Sequence, residues 1–123
     1  MEKRQKGLQA EKLAKDYLIQ QGLTPVEDNF FAKTGEIDLV MREQSVWVFV
    51  EVRYRSGKHN KRFGTAATSI NPRKQSRILR TAKLYLQKNR LNRASARIDV
   101  VDISGNMSQP AIRWIRNALG DCG

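Results

Sequence analysis

Two acidic runs joined by a tight turn carry the chemistry in this chain. They read Gly35-Glu36-Ile37-Asp38-Leu39-Val40 and Val48-Phe49-Val50-Glu51-Val52-Arg53. Side chains alternate faces along a strand, so Glu36, Asp38 and Val40 should share one face of the first run. Phe49, Glu51 and Arg53 should share one face of the second. A turn at Gln44-Ser45, between Glu43 and Val46, places Arg42 opposite Trp47 and, in the same register, Asp38 opposite Glu51. Directly opposed residues have Cβ atoms roughly 4.5–5.5 Å apart, and like charges there are destabilising. Two facing carboxylates therefore call for a cation, and an all-oxygen pair suits magnesium serving phosphate chemistry. Glu11 borders an apolar stripe of helical spacing (Ala10, Leu13, Ala14, Tyr17, Leu18) and can look toward the sheet as a third carboxylate. Its alternative is a solvated residue paired with Lys15. Glu36 falls opposite Arg53, which offers either a cross-strand ion pair or support for a metal.

The elements that must position these acids follow from pattern. Lys3 to Gln21 reads as a helix stopped by Gly22. Leu23 to Phe31 is extended or loop-like, and Pro25 suggests an edge. The hairpin follows, and its second strand is apolar on both faces, so it should be central and covered on both sides. Asn71 caps a second helix that has Pro72 at its first position. That helix runs to about Lys88 and buries Ile78, Leu79, Ala82, Tyr85 and Leu86. Arg97 to Ile103 and Ala111 to Ile115 read as strands. Residues 56–69 read as a mobile basic loop and 117–123 as a loose tail.

At 123 residues with 40% apolar content the chain is the size of one domain with one core. No run approaches the roughly 18 apolar residues of a membrane span. The charged start, Met1 to Lys6, is unlike a secretory signal. Cys122 stands alone, which excludes an intrachain disulfide and a cysteine–histidine zinc site; a reducing cytoplasm is the expected home. Net charge is +11, and its distribution is uneven. From Arg53 through Arg97 there are fourteen Lys/Arg and no acid, whereas nine of the twelve acids precede Val52. A polyanion is the partner such a block favours over mere solubility.

The Ala10-Glu11 helix, the Gly35-to-Val40 strand and the Val48-to-Arg55 strand resemble the YraN family of small bacterial proteins. The resemblance continues through Phe63-Gly64, Lys74, Ala82 to Leu86 and Arg97-Ile98-Asp99-Val100-Val101. That family in turn is similar to the restriction-endonuclease-like superfamily, close to archaeal Holliday-junction resolvases. The resemblance implies a single-domain α/β fold, a mixed central sheet flanked by helices. It also implies a magnesium- or manganese-dependent phosphodiesterase site and structured or branched DNA as ligand. By motif, Asp38 would match the first metal-binding aspartate, Glu51 the acid of the acid-x-lysine strand, and Glu11 the helix glutamate. A homodimer would suit a four-way junction, which is cut in pairs.

One departure matters. Where the superfamily has lysine two residues after the strand acid, this chain has Arg53. Arginine stays protonated and cannot be a general base, although it can hold phosphate or offset developing negative charge. Alternatively Lys74 enters the site as a substitute, or the site keeps binding and has lost catalysis. An assembly protein with an acidic protein partner is a third class. Arg53, Arg55, Lys58, Lys61, Arg62, Arg73, Lys74 and Arg77 are the candidate nucleic-acid contacts, reading backbone and shape rather than bases. Asp99 is expected to pair structurally with Arg97 or a helix arginine. Trp114 and Tyr54 are expected to pack, and His59 to be solvated.

Overall fold

Helix α1 (Glu2–Gln20) buries the stripe Ala10, Ala14 and Leu18 at helical spacing, and the two alanines let it lie close to the sheet. Its end is closed by a Schellman motif. Leu23 N–H donates to Leu18 O and Gly22 N–H to Ile19 O, both at 3.0 Å, with Gly22 at φ 106°. The computed structural model describes residues 2–55, 71–106 and 108–119. The expected basic loop at 56–69, with Lys58, His59, Lys61 and Arg62, therefore lies outside the described residues.

Strands β1 (Thr24–Ala32), β2 (Gly35–Glu43), β3 (Val46–Arg55), β4 (Ala96–Asn106) and β5 (Gln109–Ile115) form one sheet in that spatial order. Every neighbouring pair is antiparallel except β3 and β4, which are parallel. Helix α2 (Pro72–Lys88) lies in the connection between them. This is the expected α/β architecture, a mixed sheet with a helix on each face. The central strand β3 sends Val48 and Val50 into the cluster under α1, with Leu39, Met41, Val101 and Ile103. Phe49 joins the cluster under α2, with Val40, Ile78, Ala82, Tyr85, Ile98 and Val100.

The hairpin has the predicted register, Arg42 opposite Trp47 and Leu39 opposite Val50, with Gln44 at φ 57° in its two-residue turn. Asn71 caps α2 by accepting from Lys74 N–H at 2.8 Å, ahead of Pro72. Three details differ from expectation. Thr81 is fully buried on α2, its hydroxyl 2.6 Å from Thr34 Oγ1, while Leu79 is only partly buried. β4 and β5 extend past the expected ends, because pairing of Gly105 with Pro110 and Asn106 with Gln109 carries the ladder through residues that usually break strands. The stretch expected as a loose tail is pinned at its start: Asn117 N–H donates to Asp99 Oδ1 at 2.8 Å and Ala118 N–H to Ile98 O at 2.7 Å.

The β1–β2 ladder shifts register between Pro25 and Glu27, and a second break in face alternation, beside the acids, matters more. The β1–β2 ladder pairs Asp28 with Leu39 and Phe30 with Ile37, passing over Asn29, whose φ is 52°. Asp28 meets Lys15 of α1 and Leu39 packs under α1, yet Phe30 and Ile37 pack under α2. The expectation that Glu36, Asp38 and Val40 share one face is corrected accordingly. The irregularity turns Glu36 toward Asn29 and the α1 side, while Val40 stays under α2.

Candidate functional site

Beside this irregularity three carboxylates converge. Glu11 of α1 and Glu36 and Asp38 of β2 each bring an oxygen to within 4.8 Å of the others. Asn29 holds two of them, its Nδ2 donating to Glu11 Oε1 at 3.1 Å and to Glu36 Oε2 at 2.9 Å. Asp38 Oδ2 accepts from Val52 N–H at 2.8 Å, past the last regular β2–β3 pair. Glu51 stands alongside on β3, its side chain 8% exposed, with Lys74 Nζ at 2.9 Å from Oε2. Gly35, Glu36, Asp38, Glu51, Lys74, Arg77 and Ile78 line a cleft of about 330 Å³. The ion pair and an open space beside it therefore coexist.

Electrostatics mark Asp38. Burial foremost, then the negative charge of Glu51, pushes its carboxyl up to about 8, with Glu11 and Glu36 adding to the rise and the Val52 hydrogen bond opposing it. Burial also raises Glu11, opposed by the Asn29 hydrogen bond and helped by Glu36, Asp28 and Glu51. Such mutual repulsion is what a bound cation relieves. The donor set is entirely oxygen, which fits magnesium or manganese and not a soft metal. Glu11, Glu36 and Asp38 are the residues that would hold the ion.

Of the expected trio, Glu11 and Asp38 are brought together. Glu36 completes their cluster, and Glu51 borders it with one oxygen held by Lys74. Lys74 thus enters the cleft from the first turn of α2, one of the alternatives open from the sequence. Arg53 is half-buried and in register with Asp102 of β4. Arg55 is paired with that same Asp102 at 2.8 Å. Arg73 and Arg77 lie on α2, and Arg77 lines the cleft. Glu11 does not use Lys15, which pairs with Asp28 at 3.1 Å.

Asp99 is the structural acid expected. It is 0% exposed and accepts from Arg97 Nε at 2.9 Å, Trp114 Nε1 at 2.9 Å and Asn117 N–H. Trp114 also packs edge-on against Tyr17, and Tyr54 donates its hydroxyl proton to Gly105 O at 3.1 Å. Sequence reasoning missed Asn29 and Gly35. The signal for Asn29 was an asparagine inside an extended run, since asparagine adopts positive φ more readily than most residues.

The family model described as "Uncharacterised protein family UPF0102" matches residues 10–103, which include every acid of this cluster. A UPF0102 protein of Nitrosomonas europaea is 49% identical over 116 residues, 94% of each chain. One of Photobacterium profundum is 46% identical over 121 residues, 97% of this chain and 93% of the relative. One of Methylococcus capsulatus is 46% identical over 113 residues, 92% and 89% respectively.

Proposed function

The chain belongs to the uncharacterised protein family UPF0102, the YraN family, and we propose that its cleft is a divalent-metal-dependent phosphodiesterase site acting on nucleic acid, foremost structured or branched DNA. The observation that carries this reading is the meeting of two opposite charge sets in one cleft. Glu36, Asp38 and Glu51 line it together with Lys74 and Arg77 of the facing helix, and Glu11 reaches Glu36 and Asp38 from α1 to complete the candidate cation ligands.

A divalent ion bound by those acids would polarise a phosphoryl oxygen and lower the pKa of a bound water. The chain's own residues do the remaining work. Asn29 fixes Glu11 and Glu36 in place, so the ligands are ordered before substrate arrives. Lys74, half in water and half on Glu51, would swing its ammonium onto a phosphate oxygen and offset its negative charge. Arg77 on the cleft wall holds a neighbouring phosphate. The first turn of α2 adds its N-terminal partial positive charge. The net charge of +11 brings the polyanion in. No helix among the described residues is long and apolar enough to cross a membrane; a cytoplasmic location is part of this proposal.

The Glu51–Lys74 ion pair favours a second reading, a module that binds nucleic acid without cutting it, because the pair ties together two groups that hydrolysis would use. The two readings separate on labelled four-way junctions, flaps and linear duplexes with magnesium or manganese. Metal-dependent cutting that disappears in Asp38→Ala supports hydrolysis. Salt-sensitive binding without cutting supports the second reading. Neither cutting nor binding overturns both.

A further inference from the structure

Phe31 is 69% exposed on the edge strand β1, the most exposed of the large apolar side chains among the described residues. Its cross-strand partner is Glu36, one of the clustered acids. A second hollow of about 450 Å³ opens there, lined by Gly7, Leu8, Glu11, Asn29, Phe31 and Glu36. Leu8, 52% exposed, extends the apolar wall. One side of the acid cluster is therefore the cationic cleft under α2, and the other is an aromatic wall under α1.

Resting on the phosphodiesterase reading, we propose that Phe31 is a stacking platform for an unpaired nucleobase whose phosphate would be held by a cation at Glu11, Glu36 and Asp38. The site would then select single-stranded or junction strands over continuous duplex. The chemistry of the wall supports this occupant. A nucleotide joins a flat π face to a phosphate, and the hollow joins an aromatic face to the acids that would carry a cation. An apolar protein surface seated on Phe31 and Leu8 would also cover Glu11 and Glu36, and burying two carboxylates that share the Asn29 amide as donor is costly. Inside a continuous duplex both faces of each base are already stacked, so the platform finds a free face only where pairing is interrupted. Stacking on an aromatic side chain tolerates any base, in keeping with the absence of a base-reading motif.

The test uses the full chain, with Phe31→Ala and Phe31→Trp, and two probes of equal length: an oligothymidylate and the same strand with abasic sugars. Because Phe31 is exposed, Phe31→Ala is expected to fold, which circular dichroism checks. Phe31→Ala should bind oligothymidylate about tenfold more weakly, the abasic strand unchanged, and Phe31→Trp should restore the difference. Equal losses on both strands, or no loss on either while the parent binds both, would overturn the platform and leave the phosphodiesterase reading intact. A parent chain that binds neither strand would overturn both. Dissociation of a dimer in Phe31→Ala, with base dependence unchanged, would assign the face to a second copy and overturn the platform.

Discussion

Asp38 Oδ2 accepts the Val52 N–H at 2.8 Å, so one carboxylate both belongs to the acid cluster and ties β2 to β3. The tie keeps Asp38 in a buried position beside Glu51, where charge is unfavourable. Its proton affinity is the consequence, and it makes the site visible in the stability of the fold.

The sign follows from linkage. The folded chain holds the Asp38 proton to about pH 8, whereas the ordinary value is 3.8. Between those limits the unfolded state binds fewer protons, so stability is lost as pH rises through the window and levels off above it. Asp38→Asn keeps an acceptor for Val52 N–H and carries no charge. In chelator-treated protein it should exceed the parent in stability by about 1–3 kcal/mol near pH 8.5, with the gap closing toward pH 4. Urea unfolding at several pH values measures this, and a parent that gains stability with rising pH would contradict it.

The Glu51–Lys74 pair should be worth little by itself. Glu51 is 8% exposed but Lys74 is 46% exposed, so water screens half of the interaction. A double-mutant cycle with Lys74→Ala and Glu51→Gln should give a coupling of about 0.5–1 kcal/mol. Lys74→Ala should cost far more in metal-dependent cutting than in stability. An equal, small effect on both would remove Lys74 from the chemistry.

Gly35 should not tolerate a side chain. Its φ is 147°, and an added Cβ would lie 3.4 Å from Thr81 Oγ1 and 3.8 Å from Arg77 Cβ. Gly35→Ala is expected to lose about 1–3 kcal/mol through backbone strain. A variant with unchanged melting temperature would refute the strain at this position.

How much of this was legible in the sequence divides along physical lines. Local rules placed the hairpin turn, the Asn71–Pro72 cap and the central position of β3, because each depends on neighbouring residues alone. The aspartate of the cluster was readable from strand spacing. For Glu36 the spacing left open an ion pair with Arg53 or support for a metal, because the choice depends on one residue of a different strand: with φ 52°, Asn29 breaks the alternation on which the prediction relied. Thr81 was hidden for a related reason, since its hydroxyl is buried only by virtue of Thr34 and its own backbone acceptor Arg77 O at 2.8 Å.

Asp99 provides a control for the acids. Removing it strands Trp114 Nε1 and the Asn117 N–H in a buried setting and leaves Arg97 with Glu43 alone among the described residues. Asp99→Ala should therefore destabilise by about 3–5 kcal/mol. If manganese raises the melting temperature of the parent, as the metal reading expects, the same rise should persist in this variant at temperatures where it is folded. A variant that folds well and loses that shift would place Asp99 in the metal site.

Arg73 and Arg77 should contribute to binding through charge. For duplex DNA the log–log salt slope should become shallower by about 0.9 for each phosphate that is no longer neutralised. Arg77→Ala is expected to show this fully. An unchanged slope with weaker affinity would point to a structural effect.

The parallel pairing of β3 with β4 bears on the order of assembly. Strands β1 to β3 are joined by short turns, whereas β4 can join only after the long crossover from 56 to 95 has closed. Contacts of short sequence separation form first, so the acids on β2 and β3 come together early in folding. Lys74 arrives later, with the crossover. The acids thus face one another in the nascent hairpin, and Lys74 reaches Glu51 only in the step that completes the domain.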